Sequence, residues 1–371
     1  MTPSRRELRV AILGTRGVPP RYGGFETFAG ELSRRLATAG HDVTVYCRKN
    51  LYPGGEPTWR GVRRIDLPAV RHKYLETVSH AFLSAVHAVG QSYDCVIVCN
   101  AANAFVLPIL RALRVPVAIN VDGMERMRRK WNALGRLVYS VGEIWSVRFS
   151  DLLIADAEVI ADYYRRSFGA EAEVIAYGSE LDDHPESDVL GRLGLSSRGY
   201  VLYVSRFEPE NNPLEVVMAW NRVRAEVPLV MVGDAPYAKQ LVRSVRDAAG
   251  ERTLFPGALY GADYATLQRH ALIYVQATEV GGTHPAMIEA MSSGGAVLAN
   301  DTPENREVGG DAVRFFSLGE TETLSASLQE ALDAPESLEA LRRAARARAA
   351  ALYSWDRVSE RYMGILDLLS R

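Results

Sequence analysis

The sequence predicts an α/β protein built of two Rossmann-like, doubly wound domains that face a central cleft. Three observations carry that expectation. Short runs rich in β-branched residues alternate with segments of helical spacing. The rhythm breaks once, in a polar stretch near the middle, and then restarts. At 371 residues, 47% hydrophobic and 24% charged, the chain is also longer than one core usually grows.

In the first half the strand-like runs are LRVAILGT (8–15), HDVTVYCR (41–48), YDCVIVCN (93–100), VPVAINVDG (115–123) and SDLLIADA (150–157). Helical segments between them imply parallel strands joined by crossovers. The acids and Pro185 within 180–196 mark the linker. The second half restarts with GYVLYVSR (199–206), VPLVMVG (227–233), ERTLFPG (251–257), ALIYVQAT (271–278) and GAVLAND (295–301). An Arg/Ala-rich helix and an amphipathic segment, 354–371, close the chain. No repeat shorter than the domains is visible, which argues against a solenoid.

A formal net charge of −2 supplies no global attraction to nucleic acid, so no nucleic-acid partner is expected. No His/Cys cluster has metal-ligand spacing, and no metal is expected. Cys47, Cys95 and Cys99 lie in apolar strand-like runs, which suits buried thiols in a reducing compartment. The N-terminus lacks the apolar core of a signal peptide, and no run reaches the roughly 18 apolar residues that span a bilayer. The expectation is a cytoplasmic protein whose membrane contact, if any, is peripheral at the inner face.

Ligand loops of doubly wound sheets follow the strands. After the first strand, Gly23 and Gly24 open a helix where backbone can approach a ligand closely; a flexible loop is the alternative. The G-x-G-x-x-G dinucleotide fingerprint is absent. Asp122 ends the strand-like run at 115–123, either meeting substrate or forming an Asx turn. The basic and aromatic stretch 126–139, with Arg126, Arg128, Arg129, Lys130, Trp131, Arg136 and Tyr139, suits anionic lipid, a phosphorylated acceptor or a solvated helix face. In the second half Arg206 follows a strand, where a guanidinium can hold a diphosphate or form a surface ion pair. Gly233 begins a turn that is either structural or next to a nucleotide.

The stretch EVGGTHPAMIEAMSSGG (279–295) joins an acid, Glu279, and the loop Gly281-Gly282-Thr283-His284 to a helix opening at Pro285. Proline is tolerated at the first helical position, and the free N–H groups there favour an anion, most often phosphate. Glu289 lies in the second turn of that helix.

Taken in order, GTRGVPPRYGGFE, NVDGMERMRRKW, SRFEPENN and EVGGTHPAMIEAM resemble the retaining family-4 glycosyltransferases of GT-B fold. Within these the chain is most similar to the bacterial subgroup that includes rhamnosyltransferases for surface polysaccharides. The resemblance implies an acceptor domain over 1–185 and a nucleotide-sugar domain over 190–353, with the helix 354–371 returning to the first. By position, Glu289 matches the acid on the ribose hydroxyls, Arg206 the arginine on the diphosphate, and Gly23-Gly24 the glycine loop near the distal phosphate. Two positions depart from the pattern. Asn211 replaces a basic partner of the arginine, and Gly281 stands where the first of two glutamates is usual, with Glu279 as the remnant acid.

The implied chemistry moves a sugar from a UDP-, dTDP- or GDP-sugar to a hydroxyl of a glycan, a lipid-linked or a small-molecule acceptor, with retention. The donor phosphate itself helps to deprotonate the acceptor, and no cofactor or metal is required. Arg206, Glu279 and Asp122 are the candidate catalytic residues. Donor contacts are expected from Gly23, Gly24, Arg206, Asn211, Gly233, Gly281, Gly282, Thr283, His284 and Glu289. An epimerase or phosphorylase of the same architecture, and a noncatalytic sugar-nucleotide-binding protein, remain alternatives.

Overall fold

The computed structural model describes residues 6–370 apart from 21–22, 53, 73–74, 113, 130, 181–183, 236–237 and 320. The chain divides into two compact units. One comprises residues up to Arg126, then Trp131–Tyr177 and Trp355–Arg371; the other comprises Met127–Lys130 and Gly178–Ser354. The break at 177/178 precedes the polar linker expected near 180–196. Residues 127–130 cluster with the second unit although they follow a strand of the first.

The first unit holds β1 (Arg9–Leu13), β2 (Asp42–Arg48), β3 (Thr58–Trp59), β4 (Val62–Leu67), β5 (Cys95–Cys99), β6 (Val117–Asn120), β7 (Leu152–Ala155) and β8 (Glu173–Val174). In space the order is β3-β4-β2-β1-β5-β6-β7-β8. All neighbours pair parallel except β3 and β4. Its connections are α1 (Gly24–Thr38), α2 (Leu75–Val89), α3 (Leu107–Ala112), α4 (Ala133–Phe149) and α5 (Glu158–Phe168). Every residue of β5 and β6 is buried, as continuous apolar runs require when helices cover both faces.

The second unit begins with α6 (Val189–Leu193), β9 (Val201–Val204), α7 (Pro213–Arg222), β10 (Leu229–Val232), α8 (Lys239–Ala248) and β11 (Thr253–Gly257). It continues with α9 (Gly261–His270), β12 (Ile273–Gln276), α10 (Pro285–Ser292), β13 (Ala296–Asn300), α11 (Pro303–Gly309), β14 (Arg314–Phe316), α12 (Thr321–Asp333) and α13 (Pro335–Leu352). Its sheet order is β11-β10-β9-β12-β13-β14, parallel throughout. The core joins Val201, Tyr203, Met231 and Val275 of the sheet to Val216 and Trp220 of α7.

The final helix, α14 (Trp355–Leu369), belongs to the first unit. Trp355 and Tyr362 pack on Phe28 of α1, and the Asn120 amide donates to the Tyr362 hydroxyl at 3.0 Å. Among the described residues no helix is long and apolar enough to cross a membrane.

Candidate functional site

In an open parallel sheet, neighbouring strands whose crossovers leave in opposite directions open a crevice at their carboxyl ends. In the second unit that switch point lies between β9 and β12. The loops after these two strands carry Arg206 and the Gly281–His284 segment. They are tied together: Glu279 N–H donates to the Glu210 carbonyl at 2.9 Å, and the Asn212 side-chain carboxamide donates to the Ala277 carbonyl at 2.9 Å.

Arg206 is exposed at the end of β9, and no carboxylate among the described residues pairs with its guanidinium. The surface ion pair that was the alternative for this residue is therefore not formed. Its backbone is fixed, because its carbonyl accepts from the Asn211 amide at 2.7 Å and from Glu208 N–H at 2.7 Å. Asn211 is buried, and its own carbonyl accepts from the Tyr203 hydroxyl at 2.7 Å. The amide at the position expected to contact donor thus anchors the loop that carries Arg206.

Across the crevice, α10 opens at Pro285 with His284 as N-cap and no side-chain cap. The His284 carbonyl accepts from Met287 N–H at 3.0 Å and Ile288 N–H at 3.2 Å. The N–H groups of Gly281, Gly282 and Ala286 donate to no acceptor among the described residues. Unbonded amides at a helix amino end form an anion cradle, which the helix dipole reinforces.

A side chain at position 281 meets the His284 ring. A Cβ there would stand 2.4 Å from His284 Cε1 and 3.2 Å from both ring nitrogens. The imidazole fills the room that the usual glutamate would need. Burial, with the charge of Arg128 adding to it, lowers the pKa of His284 to about 3, so the ring is neutral near pH 7.

Glu279 pairs with Arg129. Beside them Arg128 lies 3.6 Å from fully buried Glu210. Arg126 pairs with Glu143 at 3.2 Å and stacks over Tyr163, while Trp131 donates to Glu125 at 3.3 Å. The three described arginines at 126–129 are thus engaged with acids of their own units, and Lys130 lies outside the described residues.

Glu289 accepts a short hydrogen bond from the Tyr264 hydroxyl, which accepts from the Gln268 amide at 2.9 Å. Burial raises the Glu289 pKa, and the tyrosine offsets that only in part. Sequence reasoning missed Tyr264 and Gln268, whose spacing of four on α9 is the signal that pairs them. It also missed Glu210, an acid that only its place between two ligand loops distinguishes. At Gly233 φ is +147°, and a Cβ would fall 1.8 Å from the Ser205 carbonyl. Its lack of a side chain lets the ends of β9 and β10 approach.

In the first unit the crevice lies between β1 and β5. Gly23 caps α1 in an extended conformation, and its carbonyl accepts from Glu26 and Thr27 N–H at 3.1 Å; Gly24 is the first helical residue. Asp122 sits just past β6 with φ +61°, a left-handed conformation costly for most residues but accessible to Asp. The Asn120 side chain holds it there by accepting from Asp122 N–H at 3.1 Å, so the turn-forming carboxamide is that of Asn120.

The chain thus carries two α/β sheets in succession, and the second has an unpaired guanidinium and free amides at its switch point. Residues 23–178 match the Glycosyl transferase 4-like domain, and residues 193–348 match Glycosyl transferases group 1. The chain belongs to the glycosyltransferases of GT-B fold that combine these two domains. A glycogen synthase of Mycobacterium tuberculosis is 26% identical over 95% of this chain and 92% of its own. Sucrose-phosphate synthase from Thermosynechococcus elongatus superposes with a TM-score of 0.83 at 20% identity, over 98% of this chain and 99% of that one. Anabaena HepE, solved with UDP and glucose, gives 0.79 at 15% identity, over 97% and 100%.

Proposed function

We propose that the protein transfers a sugar from a nucleoside-diphosphate donor to an acceptor hydroxyl with retention of configuration, and that the second unit holds the donor. The observation that carries this reading is the unpaired Arg206 together with the unbonded amides of Gly281, Gly282 and Ala286 at one switch point. A diphosphate satisfies both at once, since its charge develops further as the sugar leaves. The UDP and glucose in HepE support the same ligand class.

In this reading Glu289 takes the ribose hydroxyls in exchange for Tyr264, and Arg206 and the α10 amino end stabilise the departing diphosphate. The acceptor proton passes to a donor phosphate oxygen on the same face as the new bond. Glu279 reaches the sugar only after exchanging Arg129 for it. The first unit offers Gly23, Gly24 and Asp122 to the acceptor, which is a glycan, a lipid-linked or a small molecule. Rhamnose transfer during polysaccharide assembly at the cytoplasmic face of a membrane rests on the motif likeness. This transfer needs no metal, its electrostatic part being taken by Arg206 and the amides.

Release of nucleoside diphosphate with each candidate donor tests the proposal. Arg206→Ala is expected to lower turnover on the order of 100-fold while the melting temperature stays near the parent's. Turnover within about twofold of the parent removes Arg206 from the role. Retention is read from the anomeric configuration of the product.

A further inference from the structure

Ten of the sixteen large apolar side chains exposed among the described residues lie on only two helices, α2 and α4. On α4, Leu134, Leu137, Val138, Val141 and Ile144 recur at spacings of three and four, and the first two are 69% and 59% exposed. On α2, Leu75, Val78, Phe82 and Val86 do the same, with Phe82 47% and Val86 49% exposed. Both helices pack against the segment 101–106 and α3, on the same side of the first unit's sheet. A stripe of this spacing normally faces a core, yet here the opposite faces, Ala81 and Ala85 on α2 and Gly142 and Ser146 on α4, are the buried ones.

The charges around the stripes have one sign. Arg148 falls on the α4 stripe, Arg136 flanks it, Arg114 follows α3 and Arg71 precedes α2. None of the four pairs with a carboxylate among the described residues. The neighbouring acids are spent: Glu143 on Arg126 and Tyr163, Glu76 on Arg48 and Asn50, and Asp151 on Arg111. Protein interfaces favour aromatic residues and Met within a polar rim. This surface is almost entirely aliphatic, with Phe82 its one exposed aromatic on the two helices, and its free charge is positive.

We infer that the α2–α4 face of the first unit lies on a bilayer containing anionic lipid, the aliphatic stripes entering the acyl boundary and the arginines meeting headgroups. The charges that serve differ from Arg126, Arg128 and Arg129, which pair with Glu143, Glu210 and Glu279. The surface is independent of the donor site, so its failure would leave the transfer reading untouched.

The test is co-sedimentation of the full chain with vesicles of phosphatidylcholine alone and of phosphatidylcholine mixed with phosphatidylglycerol, at low and high salt. Partition into the mixed vesicles at low salt is expected, weakening with salt and in phosphatidylcholine alone. Phe82→Ser with Leu137→Ser should lower it about tenfold or more, as loss of two apolar contacts with the acyl boundary requires. Arg148→Ser should lower it about fivefold. Val78→Ser with Leu134→Ser repeats the apolar test at independent exposed sites, and unchanged melting of each variant shows that folding is intact. Equal partition of parent and variants, or equal partition into both vesicle types, overturns the inference. So does a parent dimer in lipid-free solution that the same serines dissociate, which would assign the face to a second copy.

Discussion

Alanine at position 281 meets the His284 ring. Its Cβ would lie 2.4 Å from Cε1, whereas carbon atoms in contact sit about 3.5–4.0 Å apart, so ring or loop must give by more than about 1 Å. Gly281 does not occupy the left-handed region, so the cost is one of space. Overpacking of this kind costs about 1–3 kcal/mol. Restricting the unfolded chain returns about 0.4–1 kcal/mol, which leaves a net loss of up to about 2.6 kcal/mol. The assay is a double-mutant cycle on the melting of the second unit, with parent, Gly281→Ala, His284→Ala and the double variant. Gly281→Ala should lower its midpoint by about 2–4 °C for each kcal/mol lost. In the His284→Ala background the same substitution should instead stabilise by about 0.4–1 kcal/mol, a coupling of roughly 1–3 kcal/mol. Equal costs in both backgrounds would refute the steric link between the missing glutamate and the histidine.

Burial raises the Glu289 pKa, so the folded state retains its proton to higher pH than the unfolded chain does, and that contribution to stability fades as pH rises from the ordinary carboxylate value. Glu289→Gln should therefore be more stable than the parent at neutral pH yet bind nucleoside diphosphate more weakly; parent affinity should fall on acidification, starting above the usual carboxylate range, as calorimetry across pH would show. Asn211→Ala removes one of the two hydrogen bonds that hold the Arg206 carbonyl, costing about 0.5–1.5 kcal/mol, and should lower both melting temperature and kcat. Glu279→Gln should lower kcat while sparing nucleoside-diphosphate affinity; parental turnover would leave Glu279 as a partner of Arg129 alone.

Much of the fold was legible because parallel strands covered on both faces must be apolar throughout, and runs such as CVIVC and LVMV are. The strand Val62–Leu67 was missed because three of its six residues are charged, on a partly solvated edge capped only by the two-residue β3. The Arg314–Phe316 strand at an edge of the other sheet escaped because it is only three residues long. At the site, Arg206, Gly281 and Glu289 were readable from position after strands and before a helix. The partners of the charges were not. Arg128 and Arg129 looked like a solvent-facing basic run, but their acids, Glu210 and Glu279, lie far along the chain in a loop pair that only the fold brings together. The replacement of a basic residue by Asn211 likewise makes sense only once its amide is seen on the Arg206 carbonyl.

Thermal denaturation of the parent and of Arg206→Ala with UDP, dTDP, GDP and ADP, each beside its monophosphate, tests most directly whether the second unit holds a nucleoside diphosphate. A ligand at about a hundred times its Kd adds about 2.7 kcal/mol to the folded state, which is a shift of several degrees for a unit of this size. At least one diphosphate should raise the parent's midpoint by that amount, its monophosphate should do less, and Arg206→Ala should lose most of the difference. No shift with any diphosphate, or an equal shift in parent and variant, would contradict the assignment of Arg206 and the glycine-loop amides to the donor phosphates.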